Sequence, residues 1–178
     1  MGKAHIPQEA RADGRTVDET RVVTSRIMEP PDANSWGNVH GGVIMRLADE
    51  AGGAVAIRHS RRQAVTVAMD RMTFKQPVHI GDLLTIRACM TYTGRTSMEV
   101  QAEIEAENMR TGEVRVAGTC YLVYVALDDQ GRPAAVPPLL VRTDEERARW
   151  QAAEQRRASR TNQANQTSQA IREEGAPT

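Results

Sequence analysis

Two features of one stretch, residues 34–53, have the residue types and spacing of a chemical site. A glycine pair, Gly41 and Gly42, stands where an apolar helical pattern begins, although glycine inside a helix costs about 1 kcal/mol relative to alanine. Two acidic residues, Asp49 and Glu50, lie within the same apolar pattern, where a buried charge is costly unless it is paired or used. The stretch therefore predicts a site built on one helix, with closely approachable backbone at its start and a carboxylate further along.

The spacing of these features has a geometric consequence. Gly42 and Asp49 are separated by nearly two helical turns, or roughly 10 Å along the axis. One helix cannot bring both to the same reacting atom, but two antiparallel helices across a dimer axis could. The spacing therefore predicts a site at a subunit interface.

The elements around this stretch follow from periodicity. The helix should run from about residue 40 or 41 to about 57 or 59, and the residues around it alternate or are β-branched. Strands are predicted at 20–28, 64–74, 83–92, 96–108 and 114–127. One apolar helix against one antiparallel sheet is an α+β architecture in which the sheet must wrap the helix. An open sheet edge would invite pairing with a second copy, so we expect a dimer whose sheets join edge to edge.

The chain ends differ in composition from this region. Residues 1–17 are polar and mixed in charge, which predicts a flexible arm before a domain at 18–140. Thr143 and Glu146 have the spacing of a capping box, so a C-terminal helix is expected over 141–158. Residues 159–178 are rich in polar amides and hydroxyls, which predicts a disordered tail.

The bulk composition excludes several classes of function. The net charge is zero and aromatic residues make up 3%, so no nucleic-acid partner is indicated. No apolar run reaches 18 residues and no signal peptide is visible, so we expect a cytoplasmic protein without a membrane partner. The two cysteines are far apart and read as reduced residues, and His40 has no second ligand at metal spacing, so no metal is expected.

The motifs resemble a known family. Residues 31–42 (Pro-Asp-Ala-Asn-x-x-Gly-Asn-Val-His-Gly-Gly) and 48–52 (Ala-Asp-Glu-Ala-Gly) are similar to those of hotdog-fold acyl-CoA thioesterases. The group is the cytosolic (brain-type) acyl-CoA hydrolases with their single-domain bacterial relatives. Further matches lie at 74–82, 93–100 and 136–138, so the resemblance covers about residues 20–155.

The resemblance implies a hotdog fold and hydrolysis of fatty acyl-CoA to a free fatty acid and CoA, without a cofactor. Asn34 and Asp49 match the family's catalytic positions, which the two-domain animal enzyme divides between two repeats. The resemblance therefore implies a dimer with two equivalent sites, assembled as a trimer of dimers, that is, a hexamer.

Roles for the site residues follow from this chemistry. The Gly41 and Gly42 amides would form an oxyanion hole, Asp49 would be the general base or a direct nucleophile, and Asn34 would position the water or the thioester. The structural alternatives are that Asp49 pairs with an arginine and that Asn34 is a turn or cap residue.

The remaining candidates concern substrate binding. His40 is expected to be structural or to line the substrate site. Arg58 after the helix, and the turn residues Arg95, Thr96 and Ser97, are candidates for the CoA phosphates, although a solvated surface is the alternative. Glu50 and the glutamates of strand 96–108 are expected to be structural or solvent-facing.

Two other functions stay open on the sequence. One is a non-catalytic protein that binds or senses acyl-CoA. The other is a hotdog dehydratase or hydratase, which would need a histidine paired with an acid on the helix, and His40 is not in that context.

Overall fold

The structure, a computed structural model, describes the backbone of residues 14–174 and the side chains of residues 14–163. The chain divides into two units, one ending at Leu140 and one beginning at Val141. In chain order the elements are β1 (Arg15–Thr16), α1 (Val17–Thr20), β2 (Val22–Ile27), a short 3-10 helix (Pro30–Asp32), α2 (Gly41–Ser60), β3 (Gln63–Phe74), β4 (Asp82–Thr93), β5 (Ser97–Asn108), β6 (Val114–Leu127), β7 (Leu139–Leu140) and α3 (Asp144–Glu174).

Five strands of the first unit form one antiparallel sheet in the order β2-β4-β5-β6-β3. These are the five predicted strands, with ends shifted by at most two residues. Consecutive strands β4, β5 and β6 pair as hairpins, whereas β3 crosses to the far side of β6. The edges of the sheet are therefore β2 and β3.

The sheet curves around α2, which confirms the predicted architecture. α2 contacts all five strands, although five strands at about 4.8 Å spacing span roughly 19 Å and a helix is only about 10 Å across. The buried positions of α2 recur at helical spacing: Ile44, Ala48, Ala51, Gly52, Val55 and Ala56. They share one core with alternate residues of β5: Met98, Val100, Ala102, Ile104 and Ala106. Removing this apolar surface from water holds the helix against the sheet.

The acidic face of β5 is not uniformly solvent-facing, which corrects the sequence prediction. Glu99 is only 1% exposed. A register shift between Met90 and Tyr92 leaves Thr91 as an extra residue opposite Glu99, and the Thr91 hydroxyl donates to the Glu99 carboxylate at 2.9 Å. A β-bulge thus gives this buried carboxylate a hydrogen-bond donor.

Part of the segment predicted as a flexible arm, residues 1–17, has regular structure. Residues 1–13 lie outside the described residues, but Arg15–Thr16 pairs in parallel with β7. Thr16 and Glu19 form a capping box at α1, with the Glu19 N–H 3.3 Å from the Thr16 hydroxyl and the Thr16 N–H 2.6 Å from the Glu19 carboxylate. These local bonds order a segment that its polar composition had assigned to the arm.

The second unit begins with the expected capping box. The Glu146 N–H donates to the Thr143 hydroxyl at 3.1 Å, and the Thr143 N–H donates to the Glu146 carboxylate at 3.2 Å. α3 then continues to Glu174, whereas its end was predicted near residue 158. The span from 144 to 174 contains no glycine or proline, so nothing in it breaks a helix despite its polarity. Residues 175–178 of the predicted tail lie outside the described residues.

Candidate active site

Asp32 holds the loop that leads into α2. Its buried carboxylate accepts two hydrogen bonds from the Arg26 guanidinium, at 3.0 and 2.8 Å, and one from the Glu29 N–H at 2.9 Å. Its carbonyl oxygen accepts the His40 N–H at 2.8 Å. Because Arg26 Nη2 bonds both carboxylate oxygens while the Asp32 carbonyl binds the His40 N–H, Asp32 connects β2 to the residue that caps α2.

Asn34 has the turn role that the sequence offered as an alternative. Its Oδ1 accepts the backbone N–H groups of Trp36 at 2.9 Å and Asn38 at 3.2 Å. Its Nδ2 has no acceptor among the side chains and backbone that the structure describes, so a donor remains available on this half-buried residue. A turn role and a site role are therefore compatible, since they use different atoms of one amide.

His40 caps the start of α2. Its Nδ1 accepts the Gly42 N–H at 2.9 Å, and its carbonyl oxygen accepts the Val43 N–H at 2.9 Å. The Gly41 N–H has no acceptor within residues 14–163. Of the two amides predicted for an oxyanion hole, one is thus open and the other already has an acceptor.

A cleft of about 390 Å³ lies beside this helix start. Its lining includes Asn34, Gly41, Ile44, Phe74 and Val78. A Cβ on Gly41 would come within 3.3 Å of the Phe74 ring, so glycine permits this close contact. An apolar wall beside an amide side chain and a free N–H suits a ligand that has a polar group on an apolar chain.

Asp49 is held by two hydroxyl groups instead of an arginine. Its Oδ1 accepts the Thr66 hydroxyl at 2.6 Å and the Tyr124 hydroxyl at 3.1 Å. Thr66 stands just before an irregularity in the β3–β6 pairing, between Thr66 and Ala68, and such bulges re-aim side chains. Oδ2 has no donor among the described side chains, so one carboxylate oxygen is anchored and the other is open.

Thr66 and Tyr124 were not predicted as site residues. Threonine and tyrosine are both common in strands, so neither stands out in its segment. They lie 17 and 75 positions from Asp49 in the chain. Their approach depends on strand register and on the bulge, which local pattern does not specify. The adjacent glycines Gly52 and Gly53 were the one usable signal, because glycine within a helix indicates close approach by another group.

Burial sets the protonation of the groups beside Asp49. Burial raises the pKa of Tyr124 well above its ordinary value, and the Asp49 carboxylate raises it further. Tyr124 therefore stays protonated and donates its hydrogen. Burial, followed by the charge of Asp49, also raises the pKa of Cys120 to about 12, so this thiol is not a nucleophile at neutral pH.

One chain keeps the two halves of the predicted site apart. The cleft beside Asn34 and Gly41 does not include Asp49 in its lining, and eight residues of helix separate Gly41 from Asp49, or about 12 Å. Asp49 faces β3 and β6 through Thr66 and Tyr124. The separation expected from the sequence is therefore present in the structure.

The predicted phosphate-binding residues lie towards the other end of α2. The Arg58 guanidinium donates to the carbonyl oxygens of Arg21 at 2.8 Å and Glu19 at 3.4 Å, at the end of α1. The carbonyl oxygen of Arg95, in the β4–β5 turn, accepts the Val136 N–H at 3.0 Å. The next residue, Pro137, has its carbonyl oxygen 3.0 Å from the Nε2 of His59, in the last turn of α2. Arg58 and the turn of Arg95, Thr96 and Ser97 are thus remote from Gly41 in the same chain, and their substrate roles stay predictions.

Three further observations concern the described residues. Glu50 pairs with Arg46 at 2.6 Å on the exposed side of α2, a structural contact as expected. Within the described residues no group of three or more His, Cys, Asp or Glu side chains could hold a metal ion. Of the helices described, none is long and apolar enough to cross a membrane.

Comparison with known proteins places this geometry in a family. Residues 37–113 match the model of the thioesterase superfamily. The chain is 35% identical over 148 residues to the acyl-CoA thioester hydrolase YkhA of Bacillus subtilis, described as uncharacterized, and the match covers 83% of this chain and 86% of that protein.

Solved structures agree. A hexameric acyl-CoA thioesterase superposes with a TM-score of 0.82 at 33% identity, covering 85% of this chain and 97% of that one. The acyl-CoA hydrolase of Staphylococcus aureus, in complex with butyryl-CoA, CoA and CoA disulfide, has a TM-score of 0.82 at 30% identity, covering 91% of this chain and 99% of that one. Structures of that enzyme also exist with alanine in place of one aspartate, one asparagine or one threonine. This chain has the hotdog fold and belongs to the thioesterase superfamily, among the acyl-CoA thioester hydrolases.

Proposed function

We propose that this protein hydrolyses fatty acyl-CoA to a free fatty acid and CoA, at a site shared between two subunits. Asn34 and the Gly41 and Gly42 amides of one subunit would bind the thioester, and Asp49 of the other would act on it. The observation that carries the proposal is the Asp49 carboxylate, with Oδ1 held by two hydroxyls and Oδ2 open. A carboxylate held in this way suits activation of a water or direct attack on a carbonyl carbon.

The proposed reaction balances without a cofactor. Asp49 takes a proton from water while the water oxygen attacks the thioester carbon, and the resulting oxyanion is stabilised by backbone N–H groups at the start of α2. The carbon–sulfur bond then breaks, and the CoA sulfur takes up the proton. In the alternative sequence, Asp49 attacks first and water hydrolyses the mixed anhydride. Both sequences use the same residues.

The oxyanion hole needs one adjustment. The Gly41 N–H is open, but the Gly42 N–H would be available only if the His40 ring turned away from it. His40 is exposed, so its ring has room to move. We propose that Gly41 donates first and that His40 controls whether Gly42 joins it.

Edge strand β3 supports the shared site. It has twelve residues and, within the described chain, only β6 as a neighbour. It exposes Val67 and Phe74 at 55% and 53%, and long apolar edges are usually paired or covered. Thr66, which holds Asp49, lies on the same strand. Pairing of β3 with its copy would bring Asp49 to the dimer interface, and the hexameric relative supports a trimer of such dimers.

The residue types substituted in the Staphylococcus aureus enzyme support the same assignment. Its asparagine, aspartate and threonine positions are spaced as Asn34, Asp49 and Thr66 are in this chain. We propose that these three residues form the corresponding set, with Thr66 added to the residues expected from the sequence. His40, Arg58, Arg95, Thr96 and Ser97 are proposed to contact the CoA portion of the substrate, with Arg58 and Arg95 reaching the site of the other subunit.

A thiol-release assay over short, medium and long acyl-CoA esters tests the proposal. Asp49→Asn should lower kcat by about 10³-fold, since the variant has no base. Glu50→Gln is the matched control, because Glu50 is the adjacent acid but points away and pairs with Arg46, and it should keep near-wild-type turnover. Tight acyl-CoA binding without thiol release from the wild type would instead favour a non-catalytic acyl-CoA sensor.

A further inference from the structure

We infer that Tyr124 is a positioning residue that orients the Asp49 carboxylate, and that Gly52 provides the space in which it does so. The inference rests on the proposed catalytic role of Asp49. Tyr124 lies on β6 and is 1% exposed. Its hydroxyl is 2.9 Å from the Asp49 carbonyl oxygen and 3.1 Å from Asp49 Oδ1. One group therefore contacts both the backbone and the side chain of the same residue.

This double contact restricts the rotation of the Asp49 side chain. A hydroxyl carries one hydrogen. The Asp49 carbonyl oxygen and Oδ1 can share it only while both oxygens face the Tyr124 hydroxyl. The Thr66 hydroxyl approaches the same Oδ1 from β3 at 2.6 Å. With Oδ1 bound from two strands, a rotation of the carboxylate would break at least one of these hydrogen bonds, and Oδ2 is left without a donor among the described side chains. Correct orientation of a reacting group can raise a reaction rate by orders of magnitude, and a small displacement of the group lowers the rate.

Gly52 is sterically required for this arrangement. A Cβ at residue 52 would lie 2.5 Å from the Tyr124 hydroxyl oxygen and 3.2 Å from Leu122 Cδ1. The neighbouring Gly53 differs, because a Cβ there would meet Tyr124 Cε1 at an ordinary 3.8 Å. Glycine in a helix interior is unfavourable, and at residue 52 it leaves the space that the phenol occupies.

The simpler reading is that the hydroxyl only satisfies its own burial. The Asp49 carbonyl oxygen alone would do that, because a buried hydroxyl needs one acceptor. The two readings differ in what they predict for catalysis. A positioning residue acts through Asp49, whereas a packing residue acts on the fold whether or not Asp49 is functional.

The test measures kcat and KM for thiol release from acyl-CoA in Tyr124→Phe, in the wild-type background and in the Asp49→Asn background. We expect Tyr124→Phe to lower kcat by about tenfold with KM changed less than about twofold. In the Asp49→Asn background, at enzyme concentrations that resolve the residual rate, the same change should have no further effect. Gly52→Ala, which keeps the phenol but displaces it, should lower kcat in the same way.

Two matched controls accompany these variants. Tyr121→Phe removes a hydroxyl from the opposite face of the same strand, and Gly53→Ala adds a methyl group where there is room. Both should keep wild-type kcat. Unchanged kcat in Tyr124→Phe, or an equal loss in both backgrounds, would overturn the positioning role. Full turnover by Asp49→Asn itself would instead refute the proposed function, and the inference with it.

Discussion

The two halves of α2 are built for different tasks. Its first turn is open: Gly41 lines a cleft, and His40 caps the helix from an exposed position. Its second half is closed: Ala51, Gly52, Val55, Ala56 and His59 are all buried. Asp49 stands where the open half meets the closed half, with one oxygen held and one open.

This difference supports the proposal that one helix contributes to two sites. The open end provides hydrogen-bond donors, which suit developing negative charge. The middle provides an acceptor whose position depends on the rigid packing behind it. Because about 12 Å of helix separates them, we propose that each half acts with the complementary half of a second subunit. The following variants test that division.

The largest effect is expected from breaking the β3 edge. Val67→Asp places a charge on an exposed apolar position of this edge strand, which should prevent strand pairing between subunits. We expect a monomer by light scattering and a loss of activity of at least about a hundredfold, since each site would lack half of its residues. Val23→Asp makes the same change on the other edge strand, β2, where Val23 is 49% exposed. If Val23→Asp gave monomers and Val67→Asp did not, the dimer interface would lie on β2, which would contradict the proposed pairing of β3.

A smaller loss is expected from the open end of the helix. Asn34→Asp keeps the Oδ1 acceptor for the Trp36 and Asn38 N–H groups but removes the Nδ2 donor. We expect kcat/KM to fall by about 10- to 100-fold with an unchanged melting temperature, since one oriented donor contributes on this scale. Ser35→Ala, an exposed change in the same loop, is the control. Wild-type activity in Asn34→Asp would reduce Asn34 to its turn role.

The smallest effect is a pH dependence of stability in the closed half. Burial lowers the pKa of His59 below its ordinary value. The hydrogen bond with the Pro137 carbonyl raises this pKa in part, the charge of Arg15 lowers it, and the charge of Glu19 has a smaller raising effect. The folded state therefore keeps His59 neutral while the unfolded chain takes up a proton near pH 6.5. Stability from this residue is present above that pH and is lost as the pH falls below it, by up to about 1.4 kcal/mol per pH unit.

Urea unfolding at pH 7, 6 and 5 measures this effect. The free energy of unfolding of His59→Gln should fall less steeply between pH 7 and 5 than that of the wild type. The exposed His79 offers the matched variant His79→Gln, which should retain the wild-type slope. Equal slopes for all three proteins would contradict the account of His59.

Much of the fold followed from local pattern, and much of the site did not. Strand ends and the starts of α2 and α3 were predictable because alternation, turn glycines, helical periodicity and the Thr143 cap act over a few residues. Asp49 was singled out by its place in an apolar helix and strengthened by the family resemblance, whereas Asn34 came from the resemblance alone. Thr66 and Tyr124 could not be found in this way, since they reach Asp49 only through strand register and the bulge after Thr66.

The misjudged segments have the same physical origin. The alternating pattern of its strand predicts that Glu99 faces solvent. In the structure Glu99 is buried, and the Thr91 hydroxyl at the bulge donates a hydrogen bond to its carboxylate. Residues 15 and 16 read as part of a polar arm, although Thr16 and Glu19 already had capping-box spacing and β7 supplied a strand to pair with. In both cases the polar composition predicted exposure or flexibility. A hydrogen-bond partner on another strand, and for residues 15 and 16 also a local capping box, determined the structure instead.

Subunit complementation tests the shared site most directly. Asn34→Asp and Asp49→Asn proteins, each expected to keep at most about a tenth of wild-type activity alone, are mixed in equal amounts, unfolded and refolded together. If each site takes Asn34 from one subunit and Asp49 from the other, each mixed dimer contains one intact site, and random pairing should restore about a quarter of wild-type thiol release. If both residues act within one subunit, no mixed dimer has an intact site, and activity that stays at the level of the separate variants would contradict the account.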